Sequence, residues 1–500
     1  MKNGKIKTIS ISLFLVGIFS LTGCSDWLNL EPENDLIKKE YWKTEGDVTA
    51  TLIGAYNSLT GCVSLCMAWG EIRAEMVSAT QKTSSTYNNV MNNIINDETE
   101  LARWSNFYKV INYANNVIKF TPEALKNDPS FTEEKSKQLL AEAYFLRSLS
   151  YFYLIRTFRE VPLITNPSDS DGDDYDVPKS SEIDILNRII DDLVAYEPFA
   201  ATSFQSLTSS KGRATQGALN ALLCDLYLWR AGVKKGAGEN GDDDLRKAVS
   251  AGEKVRSLDY SLVEGEDWFK NFYPGNTSES IFELQFDRNK GLTNNLLNIF
   301  SKEIDYQLMA TSSIDALYSG NQNDTRANGR TYFTQENGEN EVWKYVGTGF
   351  SSDGKENRRT RDARDNNWIF YRLPDVMLLE AEARLLLADN DAVAFELIKT
   401  VKERSSTAPA AWSATLSEIL TERSRELAFE GKRWFDLLRY ARRSVEGQNA
   451  IMEILLSMVP ASDRPFFEIK FKDINSYYLP IHNDELKENE NLEQNPFYKF

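Results

Sequence analysis

The segment that most constrains the fold is a helical pattern at residues 133–158 that is apolar around nearly its whole circumference. Its apolar residues include Leu139, Leu140, Ala143, Tyr144, Leu149, Phe152 and Tyr153. A helix on the surface of a globular protein keeps one polar face towards water. This segment has no such face, so the sequence predicts that it lies inside an array of other helices.

Further helical patterns occur on both sides of this segment. They cover residues 47–59, 101–120, 181–196, 215–230, 243–257, 374–388, 416–428 and 432–441. Another helix is indicated by the i, i+3, i+4, i+7 stripe of Ala394, Leu397, Ile398 and Val401. The helices come in pairs with short connections and small alanines, which resembles tetratricopeptide repeats although no fixed repeat length recurs. We therefore predict a mainly α fold of tetratricopeptide-like helix pairs.

Residues 259–370 have a different character. Helical periodicity is lost, Asn, Gly and Asp become more frequent, and 17 aromatic residues are scattered through the stretch. Apolar and polar residues alternate at 280–286, which is typical of a β-strand, and residues 341–346 predict a second strand. An irregular stretch of this length inside a helical body is unusual unless it carries function. We predict a loop-rich insert with a few short strands.

The charge and histidine content exclude several classes of function. The chain has 57 Lys and Arg against 74 Asp and Glu, which gives a formal net charge of −17. Such a surface repels phosphate backbones, so nucleic acid is not an expected partner. The one histidine, His482, rules out multi-histidine zinc sites and stands next to Asn483 and Asp484, which favours a turn residue over a catalytic base. We expect no cofactor and no metal.

The amino terminus has the organisation of an export signal. Three lysines precede a largely apolar run at residues 9–21, and small residues stand directly before Cys24. This resembles the lipobox of bacterial lipoproteins, in which the cysteine receives a diacylglycerol and becomes the first mature residue. We therefore predict a signal peptide at residues 1–23, lipidation of Cys24 and a tether at residues 24–45. A chain of this kind is anchored to the membrane rather than spanning it.

Neither the other cysteines nor the one run of aspartates forms a specific disulfide or metal-binding motif. Three thiols leave at least one unpaired, so no disulfide framework is specified; Cys62 and Cys66 would meet if their segment is helical. Cys224 lies in an apolar helical pattern and is expected to be a buried free thiol. Residues 169–176 are rich in Asp, but the glycine position and the missing closing Glu favour a solvated connection over an EF-hand calcium loop.

Several blocks, in the correct order, resemble the SusD/RagB family of Bacteroidetes outer-membrane lipoproteins. The strongest is ERSRELAFEGKRWFDLLR at residues 422–439, and the second is the tail at residues 479–496, where His482 replaces the usual second proline. Residues 141–148, 212–215 and 379–383 agree as well. The resemblance covers nearly all of the mature chain and divides it into an N-terminal SusD-like helical part at 46–258 and a RagB/SusD part at 259–500 that contains the insert at 259–370.

The resemblance implies a non-enzymatic binding protein on the cell surface. Family members lie over a TonB-dependent transporter of the SusC type in the outer membrane, capture oligosaccharides and deliver them to the transporter. Some members capture peptides instead, so peptide capture is the alternative ligand class. A surface glycoside hydrolase and a purely structural adhesin are hypotheses from other classes, although no specific sequence motif supports a hydrolase.

The strongest block also has an interpretation from its residues alone. Glu422 with Arg425, Glu426 with Arg423, and Glu430 with Arg433 are spaced for ion pairs on a helix surface. A glycosidase pair drawn from Glu426, Glu430 or Asp436 is the alternative. Nearby arginines lower the pKa of a carboxyl, whereas a general acid needs a raised pKa, so a structural role is favoured.

Sugars present apolar C–H faces and hydroxyl rims, so their binding surfaces combine exposed aromatic rings with amide and charged groups. Two regions of the sequence offer these groups. The candidate ligand-binding residues are Trp69, Tyr87, Asn88 and Asn89 after the opening helix, and Arg326, Trp343 and Tyr345 in the insert. Arg358, Arg359, Arg361 and Arg364 would form a basic patch for acidic polysaccharides.

Overall fold

The computed structural model describes residues 41–168, 176–319, 324–388, 390–405, 412–457, 459 and 461–499. The predicted signal peptide, the lipidation site Cys24 and the tether up to residue 40 lie outside the described residues. Most of the Asp-rich run at 169–176 lies outside them as well.

The described residues form nineteen α-helices, which confirms the predicted mainly α fold. They are α1 Glu45–Thr60, α2 Val63–Glu71, α3 Ser85–Met91, α4 Ser105–Asn127, α5 Glu133–Phe158, α6 Glu182–Tyr196, α7 Leu207–Gly212, α8 Gln216–Gly236, α9 Asp242–Arg256, α10 Leu296–Phe300, α11 Ile314–Ser319, α12 Trp343–Val346, α13 Leu373–Leu387, α14 Ala392–Glu403, α15 Leu416–Glu426, α16 Arg433–Ala441, α17 Val445–Ser457, α18 Arg464–Lys470 and α19 Asn483–Glu488.

The strands of the described chain are all short. They are β1 Val77–Ala79, β2 Val161–Pro162, β3 Lys179–Ser180, β4 Ser280–Leu284, β5 Leu308–Ala310, β6 Phe333–Thr334, β7 Asn340–Glu341, β8 Gly347–Phe350, β9 Glu356–Arg358 and β10 Trp368–Arg372. Besides one four-stranded sheet they form the antiparallel pairs β10–β4, β2–β3 and β8–β9. Seven of the ten lie within or directly beside the insert, as the loss of helical periodicity predicts.

Helix α5 is the central element of the helical part. The hydroxyl of Thr132 accepts a hydrogen bond from the Lys135 N–H and caps its first turn, in which Glu133 and Glu134 complement the helix dipole. From Leu139 to Phe158 all but one of its side chains are buried. It packs against α4 on one side and α6 on the other. The prediction of a helix inside a helical array is confirmed.

Small residues let neighbouring helices approach closely. Helix α9 packs against both α8 and α13, and Ala248 and Ala251 of α9 are buried at these contacts. A Cβ atom added to Gly252 would lie 2.9 Å from the Glu380 side chain of α13. The alanines and glycine therefore mark true helix crossings, as expected for tetratricopeptide-like pairs.

The prediction of a strand at residues 341–346 is wrong. Strand β7 ends at Glu341, and Trp343–Val346 form the one-turn helix α12. All four residues of α12 are buried, and they reach separate partners: Lys344 Nζ lies 2.7 Å from Glu430 Oε1, and the Tyr345 hydroxyl donates to the Phe429 carbonyl at 2.9 Å. Tertiary contacts therefore override the local alternation of this segment.

The cysteines and His482 are structural. Cys62, Cys66 and Cys224 are buried free thiols, and burial raises the pKa of each. His482 is the N-cap of α19, where its Nδ1 accepts a hydrogen bond from the Asp484 N–H at 3.1 Å, so it is the turn residue predicted. None of the described helices alone has the length and apolar composition of a membrane-spanning helix. Helices α1 and α2 meet this criterion only when they are taken together, and they are bent by 42° relative to each other.

Candidate ligand groove

A four-stranded antiparallel sheet joins the two regions in which ligand residues were predicted. Its strand order is β1–β5–β7–β6, so a strand that follows α2 pairs with strands of the insert. Val77 of β1 lies opposite Ala310 of β5. Beyond β1, the Thr83 hydroxyl donates to the Gln307 carbonyl at 2.5 Å, and the Ser84 N–H donates to Gln307 Oε1 at 2.6 Å. The two predicted regions are therefore adjacent in the fold.

Strands β6 and β7 form a hairpin at one edge of this sheet. The Gln335 N–H donates to the Glu339 carbonyl at 2.8 Å, and the Gly338 N–H donates to the Gln335 carbonyl at 2.9 Å. Gly338 has a φ of +85°, which favours glycine. The pair Asn337-Gly338 between short strands is a strong hairpin signal, and it is the sequence feature that would have located this part of the site.

An open groove of about 510 Å³ lies along this hairpin. Its lining residues are Lys302, Phe333, Thr334, Gln335, Glu336, Asn337 and Glu356. Phe333 is half-buried, and its ring packs 4.9 Å from the buried Trp343 ring and 5.9 Å from the Phe350 ring. The groove therefore offers a ring held by two others, with amide, carboxylate and ammonium groups around it.

One buried carboxylate holds the polar side of the groove in place. Glu341 is fully buried, and its Oε1 accepts the Lys302 N–H at 2.9 Å. Its Oε2 accepts hydrogen bonds from Gln335 Nε2 at 2.9 Å and from Arg358 Nη1 at 2.6 Å. Burial raises the pKa of Glu341, although the Lys302 N–H and the Arg358 guanidinium act in the opposite direction. Glu341 is a positioning residue that sequence reasoning missed, because its partners come from three separate segments.

The predicted residues Tyr87, Asn88 and Asn89 lie on the short helix α3, which Ser84 caps. Asn89 is exposed, whereas Tyr87 and Asn88 are half-buried. Burial raises the pKa of Tyr87 to about 12. Helix α3 follows the segment that is hydrogen-bonded to Gln307, but none of these three residues is among those that line the groove.

The other four predicted residues are buried, so the exposed side chains that the sequence analysis expected at these positions are not found. The exposed fractions are 3% for Trp69, 1% for Arg326, 0% for Trp343 and 4% for Tyr345. Trp69 packs on Phe107 with ring centroids 5.0 Å apart, and its Nε1 donates to the Leu101 carbonyl at 2.7 Å. Trp343 supports the groove from beneath through Phe333. Each side chain has its partners inside the protein, which the sequence alone does not reveal.

Arg326 belongs to a buried ion-pair network centred on Glu426. Arg326 Nη1 lies 2.7 Å from Glu426 Oε2, and Glu426 Oε1 also pairs with Arg372 and Arg404. Glu426 is 0% exposed. Burial by itself would raise the pKa of Glu426, but the guanidinium groups of Arg404, Arg372 and Arg326 together hold it well below its usual range.

The predicted pairing along the helix surface is therefore largely wrong. Glu422 does pair with Arg425, at 3.3 Å. Arg423, however, pairs with Asp436 and Asp375, both at 2.8 Å, rather than with Glu426.

A similar exchange of partners occurs at the end of this block. Glu430 pairs with Arg372 at 2.8 Å and with Lys344, while Arg433 pairs with Glu75 at 2.5 Å. The block is buried between elements that are distant in sequence, so spatial neighbours replace neighbours along the helix.

The predicted basic patch is not formed as expected. Arg358 is held by Glu341, and Arg359 lies 3.4 Å from Asp365 and donates to the Phe272 carbonyl. Arg361 and Arg364 are exposed. Within the described residues, no group of three or more His, Cys, Asp or Glu side chains is placed to hold a metal ion.

Two family models match the chain over most of its length. The model described as SusD family matches residues 305–498. The model described as starch-binding associating with outer membrane matches residues 26–228. The chain belongs to the SusD/RagB family.

Individual SusD-like proteins match most of this SusD/RagB chain. SusD-like protein P38 of Formosa agariphila is 25% identical over 87% of this chain and 92% of that protein. A SusD homolog of Bacteroides thetaiotaomicron of known structure superposes with a TM-score of 0.73 at 22% identity, over 92% of this chain and 100% of the other. A laminarin-binding SusD-like protein gives a TM-score of 0.71 at 22% identity, over 91% and 99% of the two chains. These structural matches establish the shared fold.

Proposed function

We propose that this SusD/RagB protein is a lipid-anchored binding protein of the cell surface that captures oligosaccharides and passes them to a SusC-type TonB-dependent transporter in the outer membrane. The observation that carries the proposal is the groove along β6 and β7, where a supported ring lies among amide and charged side chains. The starch-binding description of one matching family model and the laminarin-binding name of a structural relative support a glycan as the ligand.

The chemistry of the groove suits a sugar. The half-buried Phe333 ring offers a flat apolar surface to the C–H face of a sugar, and the exposed amide of Asn337 offers both donors and acceptors to its hydroxyl groups. Buried Trp343 packs against Phe333, and buried Glu341 holds Gln335 of the same hairpin, so these groups are held in position and less entropy is lost when ligand binds.

The charges of the groove favour uncharged glycans over polyuronates. The carboxylates of Glu336 and Glu356 line it, against the ammonium group of Lys302. The nearby guanidinium of Arg358 pairs with buried Glu341 at 2.6 Å and is not available to a ligand carboxylate. An acidic polysaccharide would therefore meet net repulsion at this site.

The proposal includes no catalytic step. Glu426 and Glu430, two of the carboxylates of the strongest sequence block, are almost fully buried, and neither lines the groove. Despite burial, neighbouring cations lower the pKa of both groups. A glycosidase needs a general acid that stays protonated near neutral pH, which these two groups do not provide.

Anchoring and partnership complete the proposal. Lipidation at Cys24 would leave a short tether before the first described helix at Glu45. Holding the binding domain beside the transporter raises the local concentration of ligand at its mouth, so that moderate affinity is sufficient.

The test is calorimetric titration of the purified protein with neutral glucans, polyuronates and peptides, each mixture being checked for breakdown products. We expect saturable binding of a neutral oligosaccharide without turnover. Phe333→Ala should weaken it about tenfold, the equivalent of about 1.4 kcal/mol. Phe199→Ala, which removes a ring that is 41% exposed on the helical part, is the matched control and should leave affinity unchanged.

Three outcomes would contradict parts of the proposal. Released product would exclude a purely binding role. Saturable binding of peptides with no binding of glycans would favour the alternative ligand class. Equal losses of affinity in Phe333→Ala and Phe199→Ala would exclude the groove as the site.

A further inference from the structure

Two cations near the C-terminal segment have no acidic partner in the part of the chain that the structure describes. Arg73 is 4% exposed, Lys470 is half-buried, and neither lies within 4.0 Å of a carboxylate among the residues that the structure describes. Burial lowers the pKa of Lys470, and the positive charge of Arg73 lowers it further. The two cations therefore lie close enough to repel each other. A buried charge without compensation is strongly unfavourable. Within the described residues, this region therefore lacks a compensating negative charge.

The contacts of Arg73 are all with neutral groups. Its Nη1 donates to the Tyr477 carbonyl at 2.5 Å, and its Nη2 donates to the Ser476 carbonyl at 2.8 Å. Its Cζ lies 4.5 Å from the centre of the Trp434 ring. These contacts satisfy part of the hydrogen-bonding capacity of Arg73 but do not neutralise its positive charge. Its Nε has no partner among the described residues.

Unsatisfied donors are concentrated around the same place. Besides Arg73 Nε, the buried polar atoms without a partner in the described chain include Thr157 Oγ1, Ser476 Oγ and both Nδ2 and Oδ1 of Asn93. Ser476 is joined to Arg73 through its carbonyl, and the Asn93 carbonyl accepts a hydrogen bond from Lys470 Nζ at 3.4 Å. Buried polar groups are normally hydrogen-bonded, so a cluster of free donors beside two cations indicates a missing acceptor.

A small cavity lies beside two of these groups, Arg73 and Thr157. Arg73 and Thr157 line it together with apolar walls from Trp69, Leu101, Trp434 and Leu479. The space that the centre of a water-sized sphere can occupy is about 10 Å³. The cavity therefore has room for a single small ion or molecule. A sulfate, phosphate or carboxylate group is too large for this space.

We propose that this cavity binds a single halide ion, with Arg73 Nε and Thr157 Oγ1 as its donors and Lys470 as a second source of positive charge. A water molecule would satisfy the donors but would not supply the missing negative charge. The site joins α2, the end of α5, α16 and the C-terminal segment, and Val90 of α3 is part of its wall. Halide binding would therefore stabilise the attachment of the helix that carries Tyr87 and Asn89.

The test is thermal unfolding of the purified full chain at constant ionic strength, with chloride or bromide replacing gluconate, which is too large for the cavity. We expect the Tm to rise with halide concentration and to saturate, as for a ligand that binds only the folded state. Thr157→Val keeps the shape of the side chain and removes one donor, so the apparent halide Kd should increase about tenfold. A crystal grown in bromide should show an anomalous peak beside Arg73.

The matched control is Thr121→Val. Thr121 is also a buried helical threonine, but its hydroxyl donates to the Val117 carbonyl at 2.6 Å and is remote from the donor cluster in sequence. This variant should change the Tm without changing the halide Kd. An identical Tm in halide and gluconate, the same halide Kd in wild type and Thr157→Val, or bromide crystals with no anomalous peak in the cavity would each overturn the proposal.

Discussion

At the scale of single residues, Glu426 shows how far partners in space differ from partners in sequence. Spacing along the helix predicts that Glu426 pairs with Arg423, whereas it contacts Arg326, Arg372 and Arg404. These arginines come from the insert, from β10 and from the end of α14. Charged residues at helical spacing usually indicate a solvated face, and only burial of the helix end reveals that this carboxylate stabilises a junction of four segments.

We expect Glu426→Gln to lower the free energy of unfolding at pH 7 by about 3–5 kcal/mol, because it leaves buried guanidinium groups without their counter-charge. The folded-state pKa of Glu426 is lowered, so its stabilising effect is present above its unfolded pKa and is lost as the pH falls through the folded value. The difference between wild type and variant should therefore shrink in acid.

Urea unfolding at pH 7 and at pH 4 measures this difference. Glu98→Gln, at an exposed position, is the control and should change stability by less than about 0.5 kcal/mol. A loss in Glu426→Gln no larger than in this control would contradict the role of Glu426 in the network.

At the scale of elements, helices were predicted well because their signals are local. The pattern at 133–158 coincides with α5, and those at 181–196 and 215–230 begin one residue early because Ser181 and Thr215 are N-caps. The strand at 341–346 was predicted wrongly because buried contacts from other elements decide its conformation. Junctions between elements depend in the same way on atoms that are distant in sequence.

The junction between α2 and the turn before α16 gives a sharp test. Gly431 has a φ of +71°, and a Cβ added there would lie 2.8 Å from the Cys66 carbonyl oxygen and 2.9 Å from Trp368. We expect Gly431→Ala to destabilise the protein by about 3 kcal/mol or more, since backbone strain and steric overlap add together.

Gly354→Ala separates these two contributions. Gly354 has a similar φ of +81°, but nothing lies within 4 Å of the added Cβ, so only the strain of about 1–2 kcal/mol is expected. Chemical denaturation of both variants provides the comparison, and equal losses of stability would show that the close approach at Gly431 is unimportant.

At the scale of the whole molecule, the two parts suggested by the sequence share one core. A single cluster of buried apolar residues extends from Trp42 to Ile481. Phe145 of α5 contacts Phe282 of β4 with ring centroids 4.9 Å apart, and Phe282 stacks on Phe370 of β10 at 5.4 Å. Such a core favours one cooperative unit over two domains that unfold separately.

We therefore expect a single unfolding transition. The thermal transitions recorded by far-UV circular dichroism and by tryptophan fluorescence should coincide, and the calorimetric and van't Hoff enthalpies should agree. Two resolved transitions would instead support independent parts at residues 46–258 and 259–500.

The helices, their pairing and the resemblance to the SusD/RagB family could be predicted from the amino-acid sequence, because periodicity, caps and ordered blocks are properties of neighbouring residues. Which side chains meet solvent, in contrast, depends on how distant segments pack together. Trp343 and Phe333 are both aromatic residues of one insert, yet Trp343 is 0% exposed and Phe333 lines the groove. That distinction depends on the hairpin at Asn337-Gly338 and on partners such as Glu341, whose contacts form only when separate segments pack together.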